Sequence, residues 1–552
     1  MRASRAFAPA LVARGLPDPP TIHMRAADLH RQSFDVLVVG GGIIGCGVAR
    51  DAASRGLRVA IFEQDDFGSG TSAGSTRLIH GGLRYLEMLD LPLVRLDLRE
   101  RETLLRIARH LVKPLRFLLP FYDASSFARL KMRAGMWLYD ALSYDRTLDG
   151  HRMLSADAVR AAEPRLVRAG LQGAASYSDA QAAMPERLCI ENIVDAADAG
   201  AAVCNYSRVV AAVVTDGRMR GVRVQDAIAQ REVEVSGRVV VNASGPWFDR
   251  TAGVLQQSPR PRVRTTRGIH IACDNPPANA LALPSAVDGR LMFVIPWLGH
   301  AWVGTTDIDY NDDPGDVAAT PAEVEYLRRS VEPLVGSLGD VFFTNAGVRA
   351  LVRRNGDASA VTRSHRVIAE QNPVGLVSII GGKLTGYRAI AEEATQRVCR
   401  LLDVPARCTT ATTSLPGARP EGRLPAELNE SQRAHLATLY GSRRTEVLHL
   451  VEERPELAQL LMDDEPDVAA QVVHAVRHEA CERVADFVFR RSQLAFTPHR
   501  GRPALARIAA VMREELGWSD QRVAEELTRC RSLLLRTDGD HPVTLDSFAN
   551  LD

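Results

Sequence analysis

The sequence predicts an α/β fold in three parts: a domain of parallel strands and crossover helices, an antiparallel sheet inserted into it, and a C-terminal helical domain. Three patterns indicate this. From Phe34 an apolar run meets a glycine turn and a helical repeat, between about residues 256 and 344 apolar and polar residues alternate, and after residue 425 the chain is periodic and charged. These patterns are typical of buried parallel strands, half-buried antiparallel strands and surface helices respectively.

Length and composition limit the classes of function. At about 150 residues per domain, 552 residues allow three or four domains. Lys and Arg total 68 against 67 Asp and Glu, so the chain lacks the basic excess of nucleic-acid binders, and we exclude nucleic acid as a partner. The eight cysteines are scattered, without a CxxC or a Cys/His cluster of ligand spacing, which predicts no metal site and a reducing compartment.

Residues 1–33 differ from the rest of the chain. MRASRAFAPALVARG is rich in Arg and Ala and has no acid before Asp18, as in organelle transit peptides. We interpret these residues as a disordered N-terminal extension, because Met24 is a second possible start before the predicted fold. No stretch reaches the roughly 18 uninterrupted apolar residues of a membrane-spanning helix, so none is predicted.

The segment FDVLVVGGGIIGCGVARDAASRGLRVAIFEQ, from Phe34, predicts a strand, a glycine turn, a helix and a second strand. Gly40, Gly42 and Gly45 form G-x-G-x-x-G, which permits a tight turn, close approach of a pyrophosphate and helix–strand packing. The phosphates would bind the N–H groups at the helix N-terminus. Glu63 ends the second strand 18 residues after Gly45, where it can accept hydrogen bonds from a ribose. The pattern predicts a dinucleotide site.

After Glu63 a loop of glycines and hydroxyl residues leads into a helix, unlike the next unit of an NAD domain. From here the sequence resembles the FAD-dependent glycerol-3-phosphate dehydrogenases, within the D-amino-acid-oxidase-like flavoprotein superfamily. The motifs that carry the resemblance are, in order, TSAGSTRLIHGGLRYLE (71–87), VVNASGPW (240–247), RGIHI (267–271), FVIPW (293–297), VGTTDIDY (303–310), AGVRAL (346–351) and GGKLTGYR (381–388). RHEACERVADFVFRRSQLAF (477–496) is similar to the C-terminal domain of the same family.

The resemblance implies a Rossmann-like FAD-binding fold and the following division of the chain. After the extension at 1–33 come an FAD-dependent oxidoreductase domain at 34–400, with a substrate domain inserted at about 256–344, a linker at 401–425 and a helical domain at 426–552. Two positions depart from the family pattern: Ala350 replaces a usual proline, and Gly386 replaces a threonine. Neither departure removes a charged or titratable group, so the resemblance stands.

The resemblance also implies the site residues. Arg84, Tyr85, Arg349 and Lys383 would bind the substrate, whose phosphate suits cationic side chains. His270 would accept the hydroxyl proton, as a histidine can near neutral pH, and Arg349 would stabilise the alkoxide. The residues expected to bind FAD are Gly40, Gly42, Gly45, Glu63, Thr71, Ser72, Ser75, His80, Gly81, Gly82, Gly245, Gly382, Lys383, Leu384 and Thr385.

The implied activity is oxidation of sn-glycerol 3-phosphate to dihydroxyacetone phosphate by hydride transfer to FAD, with electrons passed to a membrane quinone. Two alternatives stay open: a glycerol-3-phosphate oxidase or related flavin oxidase that uses oxygen, and a non-catalytic flavin-binding sensor. The implied location is the inner face of a bacterial cytoplasmic membrane, attached peripherally, with the mitochondrial inner membrane as the alternative. The oligomeric state is open, a homodimer being one alternative.

A basic, apolar stretch between Leu111 and Arg146 is the candidate for that attachment. Its first part, LVKPLRFLLPFY, is apolar but carries Lys113 and Arg116. Beyond it, apolar residues recur at helical spacing among basic ones: Phe127, Leu130, Ala134, Trp137, Leu138 and Ala141 among Arg129, Lys131 and Arg133. Such a helix can lie in a membrane interface, and the alternative is an ordinary helix packed on a sheet. We predict peripheral lipid contact.

Overall fold

The computed structural model describes residues 24–122, 125–255, 261–353, 364–422, 424 and 428–539. The strands are β1 Ser33–Val39, β2 Val59–Phe62, β3 Leu78–Ile79, β4 Val112–Tyr122, β5 Arg152–Ser155, β6 Leu171–Ala182, β7 Ala202–Cys204, β8 Ser207–Thr215, β9 Arg218–Asp226, β10 Arg231–Asn242, β11 Val263–Cys273, β12 Ala280–Pro284, β13 Leu291–Trp297, β14 His300–Gly304, β15 Ile308–Asp309, β16 Val341–Val352, β17 Arg366–Gln371 and β18 Val374–Ile380. The α-helices are α1 Ile43–Ser54, α2 Leu83–Glu87, α3 Leu91–Ile107, α4 Ser126–Leu142, α5 Ala156–Ala162, α6 Pro185–Asp198, α7 Phe248–Leu255, α8 Pro321–Val335, α9 Tyr387–Leu402, α10 Glu430–Tyr440, α11 Arg444–Glu453, α12 Ala469–His478, α13 Val484–Asp486, α14 Leu505–Leu516 and α15 Asp520–Arg536.

The first sheet is the predicted Rossmann-like core. Its central strand β1 pairs in parallel with β2 and β10, and β18 and β7 extend the parallel set on either side. Val36 and Val38 of β1 are fully buried, because helices cover the sheet, and α1 packs closely against both α6 and α9. β8 and β9 add an antiparallel extension beside the first half of β10. The predicted mixed α/β fold is confirmed.

The second sheet contains the predicted antiparallel segments but is larger than predicted. β13 and β14, which carry FVIPW and HAWVG, pair antiparallel as expected. However, β4 pairs with β12 and with β6, so strands β3 to β6, from residues 78–182, belong to the same sheet. The predicted insertion at 256–344 therefore covers only part of it, because pairing between strands so far apart in sequence leaves no local pattern.

The C-terminal helices α10 to α15 share one continuous hydrophobic core with the second sheet. Buried ion pairs fasten them to the first domain: Arg187 of α6 binds Glu479, and Asp66 binds Arg491. Part of the predicted linker at 401–425 is also held, since the Gly417 N–H donates to Glu191 at 2.7 Å. The helical domain is thus fixed to the first domain over an extensive polar contact.

The N-terminal extension was predicted too long. Residues 1–23 lie outside the described part of the chain, but residues 24–32 pack on the first domain. Ala26 and Leu29 of a short 3-10 helix are fully buried, and the Met24 N–H donates to the Val203 carbonyl at 3.1 Å. The apolar residues Ala26 and Leu29 make this contact, and the composition of residues 1–33 as a whole did not indicate it.

Helix α4 forms where the basic amphipathic pattern predicted a helix. Only Met136 and Tyr139 of this helix are buried, whereas Phe127, Leu130 and Trp137 are 77%, 64% and 62% exposed. The preceding apolar part, LVKPLRFLLPFY, is instead largely strand β4 within the second sheet. None of the helices in the described ranges is long and apolar enough to cross a membrane.

Candidate active site

A cleft opens beside the carboxyl ends of β1 and β10, where α/β folds of this kind bind their ligands. Its walls come from the glycine turn before α1, the loop after Glu63, the β10–α7 turn, strand β16 and the turn before α9. The predicted site residues that line it are Gly40, Gly42, Glu63, Thr71, Ser72, Ser75, His80, Gly245, Arg349, Gly382, Lys383 and Leu384.

The three glycines of the motif have different surroundings. Gly40 has a φ of +107°, and a Cβ there would lie 2.7 Å from the Ala243 carbonyl oxygen. A Cβ on Gly45 would lie 1.9 Å from the Gly40 carbonyl oxygen, so Gly45 serves helix–strand packing and does not line the cleft. A Cβ on Gly42 would meet only the Ser72 hydroxyl, at 3.5 Å. Gly40 therefore permits the tight turn, Gly45 permits helix–strand packing, and Gly42 leaves room for a pyrophosphate, as the motif requires.

Glu63 lies at the end of β2 with both carboxylate oxygens held. It accepts the Gly41 N–H at 2.6 Å and the Asp65 N–H at 2.9 Å. Burial raises the pKa of Glu63 to about 7, helped by the charge of Asp65, while the two backbone donors oppose the rise. Hydroxyl donors would stabilise the charged form. The glycine turn, the helix N-terminus and this half-buried acceptor together fit the adenosine and pyrophosphate parts of FAD.

Three of the residues expected to bind the cofactor support the loop at His80 from behind and do not line the cleft. The Gly81 N–H donates to the Tyr139 hydroxyl at 3.1 Å, and buried Thr385 accepts the His80 N–H at 3.1 Å. A Cβ on Gly82 would lie 2.5 Å from the Tyr85 ring, so this glycine permits close packing. Gly81, Gly82 and Thr385 therefore contribute to the shape of the loop.

Arg349 of β16 lines the cleft, and hydrogen bonds hold its guanidinium in place. Its guanidinium donates to the Asp307 carboxylate at 3.0 Å, to the Thr306 carbonyl at 3.1 Å and to the Thr305 hydroxyl at 2.7 Å. Its side chain is 14% exposed. The arginine thus combines a fixed orientation with access to the cleft, which suits recognition of an anion.

Lys383 is another predicted cation that lines the cleft, together with Arg77, Arg208 and Arg250. Its ammonium donates to the His80 carbonyl at 2.6 Å and to the Asp97 carboxylate at 2.9 Å, and it lies 5.5 Å from the centre of the Tyr85 ring. Tyr85 is buried beneath it. Arg84 lies in α2, and its side chain is outside what the structure describes. The structure thus brings Tyr85 and Lys383 together and places Arg349 on the wall of the same cleft.

His270 does not line the cleft and is separated from it by Thr76. It is fully buried, its Nε2 is 3.0 Å from the Thr76 hydroxyl, and Thr76 itself lines the cleft. The imidazole stacks on Trp302 at 5.1 Å with nearly parallel planes. Burial, and then the charges of Arg349 and Arg77, hold the pKa of His270 well below its usual value, so the ring is neutral. A neutral imidazole can accept a proton that reaches it through Thr76.

The structure reveals three polar residues that sequence reasoning missed: Thr76, Asp97 and Asp307. Thr76 and Asp307 lie inside motifs already identified, where only their contacts to His270 and Arg349 reveal a part in the site. Asp97 lies in α3, and nothing in its local sequence marks it as the partner of Lys383, 286 positions away. Only the folded chain identifies it.

Comparisons with known proteins agree with this geometry. Residues 35–388 match the family described as FAD dependent oxidoreductase, and residues 408–523 match the C-terminal domain of alpha-glycerophosphate oxidase. The chain is 38% identical to a glycerol-3-phosphate dehydrogenase of Synechocystis over 533 residues, covering 91% of this chain and 96% of that protein. It is 31% identical to an aerobic glycerol-3-phosphate dehydrogenase of Bacillus subtilis, covering 90% and 93%.

A solved structure extends the similarity to the whole fold. The glycerol-3-phosphate dehydrogenase of Bacillus halodurans, complexed with FAD, superposes with a TM-score of 0.77 at 27% identity. The match covers 94% of this chain and 97% of that one. A two-domain match in sequence, close relatives over nearly the full length and a shared fold with an FAD complex all agree. The chain belongs to the FAD-dependent glycerol-3-phosphate dehydrogenase family.

Proposed function

We propose that this protein oxidises sn-glycerol 3-phosphate to dihydroxyacetone phosphate and passes the electrons through FAD to a membrane quinone. The observation that carries the proposal is the pair of anchored cations, Arg349 and Lys383, on the wall of the FAD cleft. FAD, when bound, supplies the acceptor for the hydride. The names of the relatives support the substrate, and the quinone follows from the family resemblance.

The two cations would hold the substrate phosphate. Each already pairs with one carboxylate, Asp307 or Asp97, so its side chain has little freedom left to lose on binding. Burial raises the pKa of Asp97 to about 6, which leaves its charge weakly held beside Lys383. A dianionic phosphate is therefore a stronger partner for the ammonium than the carboxylate is.

The hydroxyl proton would leave through Thr76. The Thr76 hydroxyl lies between the cleft and His270, so it can accept the substrate proton while donating its own to His270 Nε2. The lowered pKa of His270 keeps the imidazole neutral, so Nε2 is able to accept the hydrogen bond from Thr76. The guanidinium of Arg349 would stabilise the developing alkoxide, since a fixed cation in a site of low polarity acts strongly on new negative charge.

Anaerobic addition of glycerol 3-phosphate is expected to bleach the oxidised flavin absorbance of the purified protein, whereas glycerol is inert. The reason is that phosphate recognition by Arg349 and Lys383 is needed to orient the carbon that loses hydride. The measurement is an absorbance titration. A protein that stays yellow would contradict the substrate, and hydrogen peroxide formed in air at the rate of substrate loss would favour the oxidase.

Peripheral lipid contact is proposed for helix α4, on the inner face of a bacterial cytoplasmic membrane, with the mitochondrial inner membrane as the alternative. The exposed side chains of Phe127, Leu130 and Trp137 supply apolar area, and the exposed Lys131 and Arg133 can meet anionic headgroups. A quinone acceptor requires such contact with lipid. The exposure of these three apolar side chains supports the proposal over the alternative of an ordinary helix packed on a sheet.

The double variant Phe127→Ser with Trp137→Ser is expected to reduce binding to anionic vesicles by more than about tenfold, since burying a large apolar side chain contributes about 1.5–3 kcal/mol. The measurement is co-flotation with liposomes of neutral or anionic composition. Ile308→Ser is the matched control, because Ile308 is 44% exposed and lies in β15 of the second sheet, outside α4. Wild-type protein that does not float even with anionic vesicles would rule out lipid contact.

A further inference from the structure

Asp97 holds Lys383 from behind with only half of its carboxylate. The side chain is 1% exposed, and Oδ2 accepts the Lys383 ammonium at 2.9 Å. The other oxygen, Oδ1, is buried and has no hydrogen-bond partner among the described residues. Leaving a buried acceptor without a donor is costly, and the cost is larger for a charged group. Among the described residues, the carboxylate therefore accepts its hydrogen bond from Lys383 through Oδ2 alone.

The space beside Oδ1 belongs to Gly386, the residue that precedes helix α9. A Cβ built on Gly386 would lie 3.4 Å from Asp97 Oδ1 and no closer than 4.0 Å to its other neighbours. The backbone there has φ −87° and ψ 4°, outside the positive-φ region that requires glycine. A hydroxyl one bond beyond that Cβ would reach hydrogen-bonding distance of Oδ1. Glycine provides no such donor.

The charged groups around Asp97 come from three elements. Lys383 precedes α9, Glu100 lies one turn along α3 and is bound by Arg388, and Asp179 of β6 is bound by Arg101. Burial is the largest cause that raises the pKa of Asp97 to about 6. Lys383 opposes the rise, and the two acids add to it. Because this pKa is raised to about 6, the carboxylate is half protonated near pH 6, is fully charged only well above that value, and loses its charge as the pH falls through it.

We propose that Asp97 is the positioning residue for Lys383, and that residue 386 sets how firmly it acts: with glycine there, Oδ1 lacks a hydroxyl donor and the Asp97–Lys383 pair opens on mild acidification. The inference rests on the proposed function, in which Lys383 holds the substrate phosphate. As the pH falls, Lys383 therefore binds the substrate phosphate less tightly. The Michaelis constant rises, whereas kcat changes less. Residue 386 thereby determines the working pH range without touching the substrate.

Gly386→Ser is expected to move the acid limb of kcat/KM for glycerol 3-phosphate down by about one pH unit, because a hydrogen bond from the serine hydroxyl stabilises the charged form of Asp97 over the protonated form. Gly386→Ala is the matched control: it adds the Cβ without the hydroxyl and should leave the limb in place. The substrate phosphate also titrates near pH 6, about its second pKa, but identically for every variant. Only differences between variants count.

A second arm separates this effect from helix capping, since a serine at residue 386 also precedes α9. In an Asp97→Asn background the serine should shift nothing, and a shift that persists there would assign the effect to capping and overturn the proposal. Infrared difference spectra give a readout independent of activity: the protonated carboxyl band absent from Asp97→Asn should titrate at lower pH in Gly386→Ser. An unchanged titration would overturn the proposal, whereas inactivity towards glycerol 3-phosphate with a shifted band would overturn only the proposed substrate.

Discussion

Replacing Arg349 by methionine is expected to lower kcat/KM for glycerol 3-phosphate by about a thousandfold, or about 4 kcal/mol, within the 2–5 kcal/mol range for removing one member of a buried charged pair. The change removes the cation that faces the cleft and leaves Asp307 without its guanidinium partner. It also removes the charge expected to stabilise the alkoxide, so kcat should fall together with the affinity. Steady-state kinetics over a range of substrate concentrations measure both effects.

Arg264→Met is the matched control for this variant. Arg264 lies in β11, the strand that pairs with β16, and forms a two-pronged ion pair with Asp309, but it is outside the cleft lining. Because Asp309 is 52% exposed, we expect the loss of this pair to change activity less than about threefold. The flavin absorbance of Arg349→Met should stay that of a loaded enzyme. A loss of less than about tenfold in kcat/KM would contradict the role of Arg349 in substrate recognition.

The glycine motif gives the second large effect. Gly45→Ala is expected to lower the free energy of unfolding by about 3 kcal/mol or more and to yield a protein without flavin, because its Cβ would lie 1.9 Å from a backbone oxygen. That oxygen belongs to Gly40, so α1 would have to move away from the turn that forms the cleft. Denaturant unfolding and the flavin content of the purified protein measure the two consequences.

Gly42→Ala separates packing from ligand binding. A Cβ on Gly42 would meet no protein atom closer than 3.5 Å, so the apoprotein should be as stable as wild type, while the methyl group would occupy space that a pyrophosphate needs. We expect FAD affinity to fall by more than about tenfold, measured by titration of the apoprotein. Gly135→Ala in α4, where a Cβ meets nothing within 4 Å, is the control, with unchanged FAD binding and a gain of up to about 1 kcal/mol in stability. Equal behaviour of the Gly42 and Gly45 variants would contradict this division of roles.

Several features of the fold were predictable because their causes are local. The turn at Gly40 to Gly45 needs residues without side chains, β1 reads as an uninterrupted apolar run, and β13 and β14 are joined by a short turn. Each of these signals lies within about 30 residues, the length of one βαβ unit. The family resemblance then supplied the cofactor, and the comparisons confirm it. The roles of the individual site residues stay predictions, to be tested by the variants above.

Other features were decided only by the tertiary structure. The amino-acid sequence determined the dinucleotide turn and the family. It did not reveal that residues 78–182 supply strands to the second sheet, that residues 24–32 pack on the first domain, or that Arg77, Arg208 and Arg250 line the cleft. Nor did it show that His270 reaches the cleft through Thr76, 194 positions away, or that Asp97 supports Lys383 across 286. Periodicity and turn chemistry act over a few residues, whereas the partner of a buried polar group is chosen by which elements pack together.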